Sequence, residues 1–240
     1  MAMAMRLSLL LFSTSLLQPC LAQAVWNDST LLKAALLNAI GVYEATMGAQ
    51  SHLFNGSEYK MYSSMAGEHP YFMNDWSEGE VLYEGQRYTT VPLLYDLSGD
   101  KLITENESGR LLQLISEKVT YFILDSHTFV YLTGPKIKEG FYDRLYPGDT
   151  KIYKRIRKSL QKSISGTLLE KKFEESIQYF IYTRGNYIPA RKKKDVFAAL
   201  PDKSNELKKF LRENHIHFRS DPGAAMTRMA RFYDQIQQQP

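Results

Sequence analysis

The stretch GEVLYEGQRYTTVPLLYDLSGDKLITENESGRLLQLISEKVTYFILDSHTFVYL, Gly79 to Leu132, decides the fold. Short apolar runs are cut by turn residues at nearly regular intervals, the pattern of an antiparallel β-meander. Val81–Tyr83 and Arg87–Tyr95 flank Glu84-Gly85, a junction holding the glycine that tight hairpins favour. Further strands are predicted at Lys101–Thr104, Arg110–Ile115, Lys118–Leu124 and Thr128–Leu132, separated by Ser98-Gly99-Asp100, Glu105–Gly109 and Asp125-Ser126-His127. Strand side chains alternate between faces, so Val119, Tyr121 and Ile123 share one face while Phe122 and Leu124 share the other. Both faces are largely apolar, and the second one needs a cover of helices, a second sheet or a bound ligand. Pro92 inside a strand predicts an edge or a bulge.

Working outward, Asn27-Asp28-Ser29-Thr30 offers capping oxygens to a helix with Leu31, Ala35, Leu36, Ala39 and Tyr43 on one stripe, ending near Gly41 or Gly48. Ala49 to Trp76 reads as an irregular segment rich in aromatics, among them Tyr59, Tyr62, Tyr71, Phe72 and Trp76. After the meander, Gly140–Leu145 reads as a strand. Lys151–Ile164 fits a helix stripe or a strand face; strand is preferred, with Tyr153-x-Arg155-x-Arg157 as its solvated side. Phe173–Thr183 and Tyr187–Pro189 flank Arg184-Gly185-Asn186, a hairpin signal. Three helical stretches follow. The first is Val196–Leu200, the second starts at Pro201 and runs to about Glu213, and the third is capped by Asp221-Pro222 with Met226, Met229, Ala230 and Tyr233 on one stripe.

These elements predict an α+β fold: an antiparallel β-meander forming a curved sheet or half-open barrel, with an N-terminal helix and a C-terminal group of two to three helices packed on it. The expected divisions are a signal peptide at 1–24, a β-rich domain with its N-terminal helix at 25–190, and a C-terminal helical segment of the same domain at 191–240.

Met1–Ala24 has the features of a secretory leader: Arg6, an apolar run from Leu7 to Leu17, and Ala22-Gln23-Ala24 as a small-x-small site, with cleavage after Ala22 or Ala24. That apolar run is shorter than the roughly 20 residues that span a bilayer. An acylated Cys20 is disfavoured because bulky Leu17-Gln18-Pro19 precedes it. Should Cys20, the single cysteine, leave with the leader, disulfides, thiol nucleophiles and thiolate metal sites leave with it. Without Arg6 the chain carries 29 basic and 26 acidic side chains, too mild a balance to predict nucleic-acid binding.

Val91-Pro92-Leu93-Leu94-Tyr95-Asp96, Gly140-Phe141-Tyr142-Asp143, Lys193-Lys194-Asp195-Val196 and Leu200-Pro201-Asp202-Lys203 together resemble a family of exported proteins of Gram-negative bacteria that has no assigned activity. The resemblance implies export, to the periplasm or beyond, and supplies no catalytic, cofactor or metal residues.

Candidate chemistry is sparse. His215-x-His217 has a spacing that metal sites use, yet no third ligand lies near it in sequence, which favours a connector. Asp125, Ser126 and His127 carry the names of a nucleophilic triad without its geometry, since adjacent residues do not form a relay. Asp96 and Asp100 flank a turn and are read as stabilising it rather than as an acid–base pair. Two basic concentrations, Arg191–Lys194 and Lys154, Arg155, Arg157 and Lys158, suit anionic headgroups or an acidic partner, with a solvated surface as the plainer reading. Asn27, Asn55 and Asn106 begin Asn-x-Ser sequons. No phosphate loop, dinucleotide fingerprint or nucleophile elbow occurs, and no cofactor is expected. The favoured function is a non-enzymatic binding or scaffolding module of the envelope, whose partner is an envelope component or an apolar small molecule. The alternative is a carboxylate-dependent hydrolase of envelope polymers.

Overall fold

A computed structural model describes residues 53–62, 69–165 and 168–238, together with Leu32, Lys33, Ala35, Leu36 and Asn38. These last five are helical and exposed, in the span where the N-terminal helix was expected. That helix's ends, the leader and Cys20 lie outside the described residues.

Eleven strands form one antiparallel sheet among the described residues. They are β1 (Ser57–Glu58), β2 (Ser77–Tyr83), β3 (Gln86–Asp96), β4 (Lys101–Glu105), β5 (Leu111–Gln113), β6 (Val119–Leu124), β7 (His127–Gly134), β8 (Ile137–Tyr146), β9 (Lys151–Ser165), β10 (Leu168–Thr183) and β11 (Asn186–Pro189). Glu84 and Gly85 between β2 and β3, and Arg184 and Gly185 between β10 and β11, have consecutive positive φ angles. This backbone matches the right-handed twist of the strands it joins. Pro92 sits beside a register shift between β2 and β3, with Thr90 at φ 58, so the bulge reading holds and the edge reading does not.

The order β1-β5-β4-β3-β2-β6-β7-β8-β9-β10-β11 departs from a simple meander at two places: β1 pairs with β5 and not with β2, and β6 pairs with β2 and not with β5. After β5 the chain makes a 3-10 turn at Ser116–Lys118 and returns to pair β6 with the free edge of β2. Glu84 N–H donates to the Lys118 carbonyl at 2.9 Å and fixes this return.

The sheet curls until it meets itself. Neighbouring strands lie roughly 4.8 Å apart, so β3 and β9, separated by five ladder steps, would be about 24 Å apart in a flat sheet. Instead, Lys158 N–H of β9 donates to the carbonyl of Leu97, just past β3, at 3.3 Å. Arg157 donates to the Ser98 carbonyl at 2.6 Å. Strands β3, β2, β6, β7, β8 and β9 thus enclose an interior filled by Val81, Tyr83, Leu93, Tyr95, Phe122, Phe129, Phe141 and Ile156, with Leu53, Phe72 and Met73 packed against them. Phe122 and Phe129 stack at 4.8 Å, and Tyr95 meets Phe122, Phe129 and Phe141 at 5.2, 5.0 and 5.8 Å. Such ring pairs each add about 0.5–1.5 kcal/mol beyond burial. On the outer side of β3 and β4, Tyr59 and Tyr71 of the aromatic segment cover Leu94 and Ile103.

The C-terminal helices are α1 (Lys193–Ala199), α2 (Ser204–Glu213) and α3 (Pro222–Gln237), with a 3-10 turn at Pro201–Lys203. Val196, Leu207, Leu211, Met226, Met229 and Ala230 lay their stripes on Ile152 of β9 and Ile181 of β10. Asp221 caps α3 by accepting from Ala224 N–H at 2.9 Å, and both Asp234 oxygens accept from Thr150 N–H, pinning α3 to the start of β9.

One expectation is overturned. Tyr153 and Arg155 are buried, and Arg157 is half-buried, because the curl brings that face of β9 against the β3–β4 turn and, with β8 and β10, into a cluster of Ile137, Tyr142, Tyr153 and Phe180. Beyond Lys158, β9 and β10 continue to Ser165 and Leu168 as a two-stranded ribbon.

Candidate functional site: a basic groove on the helical cap

Chain order hides the site. Arg191–Lys194 lead from β11 into α1, where the Asp195 carboxylate accepts from the backbone N–H groups of Arg191 and Lys192 at 2.9 and 2.8 Å. These bonds to the charged form, followed by the nearby lysines, hold the Asp195 carboxyl below its ordinary value. A tight first turn results, with its four cationic side chains directed outward and exposed. The connector between α2 and α3 crosses beside it, carrying His215, Ile216, His217, Phe218 and Arg219. His215 takes a left-handed φ of 50, and Ile216 N–H returns to the Leu211 carbonyl at 3.0 Å, so the connector stays close to α2.

Two neighbouring clefts result. The larger, about 790 Å³, is lined by Arg191, Lys192, Lys193, Lys194, His217 and Arg219 over Ile216, Phe218 and Pro222. A smaller one, about 260 Å³, adds Lys208, Arg212, Phe197 and Leu211, and shares Lys193, Ile216 and His217 with the first. Seven permanent cations therefore face one groove. Among the described residues, no ion pair engages any of the seven. The helix carboxylates are committed elsewhere: Glu206 to Lys203, Glu213 to Lys209 and Asp221 to its cap.

The other candidates disperse. His215 and His217 both line the smaller cleft, but no group of three or more metal-ligating residues occurs among the described residues. His127 meets Asp143 of β8, not a residue of its own turn, at 2.7 Å. This carboxylate raises the imidazole pKa against an opposing effect of burial. Asp96 and Asp100 do not converge. Asp96 accepts from Ser98 and Gly99 N–H and from the Tyr59 and Tyr62 hydroxyls. Asp100 accepts from Tyr95 at 2.7 Å and pairs with Arg155 and Arg157, each at 3.0 Å. Burial is the main reason that the Tyr95 phenol is pushed far above its ordinary pKa. Arg155, Arg157 and Lys158 of the second basic concentration are thereby engaged within the fold, since Lys158 also donates to the His69 and Tyr71 carbonyls. A cleft of about 650 Å³ beside Asp100 includes Glu117, Glu139 and Tyr131, with the Tyr131 hydroxyl donating to Glu139 at 2.7 Å. Asn55 is exposed, whereas Asn106 accepts from Ser108 and Arg110 N–H and holds the β4–β5 turn. Asn27 lies outside the described residues.

Lys208, Arg212 and Arg219 were not singled out from the sequence, and Asp143 was quoted only within the resemblance, not as a partner of His127. For Lys208 and Arg212 a signal existed: they are four apart on α2, each following a residue of the buried Leu207/Leu211 stripe, so they share the flank of that stripe. For Arg219, and for the pairing of Asp143 with His127, there was none. No helix among the described residues is long and apolar enough to cross a membrane. The chain matches no protein-family model, no curated protein and no solved structure.

Proposed function

We propose that this is an exported, non-enzymatic module of the cell envelope that binds an anionic envelope component at its surface, through the basic groove. The observation that carries the reading is the convergence of Arg191, Lys192, Lys193, Lys194, Lys208, Arg212 and Arg219 on adjoining clefts, with no ion pair to them among the described residues. Clustered like charges repel one another, and a bound anion relieves that repulsion. Export rests on the leader-like Met1–Ala24 and on the family resemblance. An aromatic-filled interior supports placing the partner on the surface rather than inside the barrel. Carboxylates tied to turns and arginines weigh against the hydrolase alternative.

The test is cosedimentation of the purified chain with washed envelopes of a Gram-negative bacterium. Salt-sensitive association is expected, lost in the Lys193→Glu/Arg219→Glu variant and kept in Lys171→Glu/Lys172→Glu, which changes the net charge equally on the exposed β10 ribbon. Association that is absent, or equally weakened by both variants, overturns the reading.

A further inference from the structure

The groove is more than a charged patch. Its cations come from three segments, and they are of two kinds. Arg191, Arg212 and Arg219 present planar guanidinium forks, while Lys192, Lys193, Lys194 and Lys208 present point charges with three donors each. Forks match the paired oxygens of a tetrahedral oxyanion bidentately, and ammonium groups add charge without demanding a plane, the combination that phosphate recognition uses. A carboxylate offers two oxygens in one plane and saturates a single fork. Four consecutive cations at Arg191–Lys194 call for a more highly charged ligand.

The floor carries the second clue. Ile216 and Phe218 are half-buried, packed into the core of the helical cap, and with Pro222 they line the larger cleft beneath its cations. Phe197 and Leu211 do the same in the smaller one. A fully hydrated inorganic anion gains nothing from such a floor, whereas the glycerol or acyl stem beside a headgroup phosphate does. We propose that the groove is a binding site for the phosphate group of an anionic lipid, with the cations on the phosphate and the Ile216, Phe218 and Pro222 floor against the adjoining stem. This rests on the surface-binding reading above and names the chemistry of its partner.

The test uses the full chain and vesicles of phosphatidylcholine containing either phosphatidic acid or, at equal surface charge, oleate, with inorganic pyrophosphate as a soluble phosphate source. Expected is at least tenfold tighter binding to the phosphatidic acid vesicles than to the oleate vesicles. That difference should vanish in Lys193→Glu/Arg219→Glu and persist in Lys171→Glu/Lys172→Glu. The milder Phe218→Ser variant should weaken vesicle binding while leaving pyrophosphate binding unchanged. Equal binding to both vesicle types overturns the phosphate assignment and leaves the anionic-surface reading in place. Pyrophosphate binding as tight as that of the vesicles, with no effect of Phe218→Ser, overturns the lipid source. No binding to either vesicle, with envelope association intact, overturns the whole assignment, as does a single-stranded oligonucleotide that displaces the vesicles at equal phosphate concentration.

Discussion

Arg155 on β9 and Asp100 in the β3–β4 turn stand 55 residues apart in sequence, and their side chains meet at 3.0 Å where the curled sheet comes back against that turn. Arg155 also donates to the carbonyls of Lys138 and Glu139 and to the Tyr142 hydroxyl, and its side chain retains 5% exposure. Breaking a buried pair by removing one partner costs about 3–5 kcal/mol, since the other charge stays behind unpaired. Asp100→Ala should approach that loss in urea unfolding, because it leaves the buried Arg155 without a counter-charge and Arg157 with only its bond to the Ser98 carbonyl. Arg157→Ala, whose side chain keeps 30% exposure, should cost clearly less. Equal losses would show that the closure does not depend on charge.

Gly140 faces the same contact. A Cβ there would fall 2.1 Å from an Asp100 carboxylate oxygen and 2.8 Å from Arg155 Nη2, at φ +138. Gly185, at φ +75, has no heavy atom within 4 Å of its own Cβ position. Gly185→Ala should cost only the left-handed backbone penalty of about 1–2 kcal/mol. Gly140→Ala should cost more, by displacing the ion pair as well, and thermal unfolding of the two variants side by side measures the difference.

His127 and Asp143 predict a pH dependence. The carboxylate raises the folded-state imidazole pKa above its unfolded value of about 6.5. Between the two values the folded chain holds a proton that the unfolded chain has released, so stability falls as pH rises. The pair's contribution is fully present below the unfolded pKa and is lost as pH climbs through the folded one. His127→Gln should therefore destabilise the protein more at pH 5.5 than at pH 9, and NMR titration of His127 should place its pKa above 6.5. A destabilisation independent of pH would contradict this account.

Phe122 is fully buried and stacks on Phe129 at 4.8 Å. Its truncation leaves a cavity that the surrounding β-strands cannot collapse into, so Phe122→Ala should cost about 3–5 kcal/mol. A double-mutant cycle with Phe129→Ala should give coupling of about 0.5–1.5 kcal/mol. Additive losses would mean that the rings act only through their buried area.

Strands were legible where the chain punctuates itself. Glu84-Gly85 and Arg184-Gly185 require backbone that short loops with glycine provide, and the hairpins formed around them. The cap of α3 was equally local, because the Asp221 side chain accepts from Ala224 N–H of its own helix. Beyond this reach the pattern misled. Alternation in β9 placed Arg155 and Arg157 in solvent, because alternation states which residues share a face and not what that face meets. Similarly, nothing near Ser116 signals that β6 will pass over its neighbour β5 to pair with β2.

The groove divides in the same way. Four adjacent cations at Arg191–Lys194 were plain in the sequence, as were His215 and His217, and each group had an ordinary reading taken alone. Their union with Lys208, Arg212 and Arg219 depends on how α1, α2 and the connector pack over β9 and β10. Sequence by itself determined the hairpin turns, the places of most strands and of the C-terminal helices, and the apolar stripes, all set by interactions within a few residues, while strand ends such as Leu168 of β10 lay beyond it. Tertiary structure alone decided how far the sheet curls, which charges are buried and which cations share a groove, because burial and electrostatic proximity depend on distance in space, which only the packed chain defines.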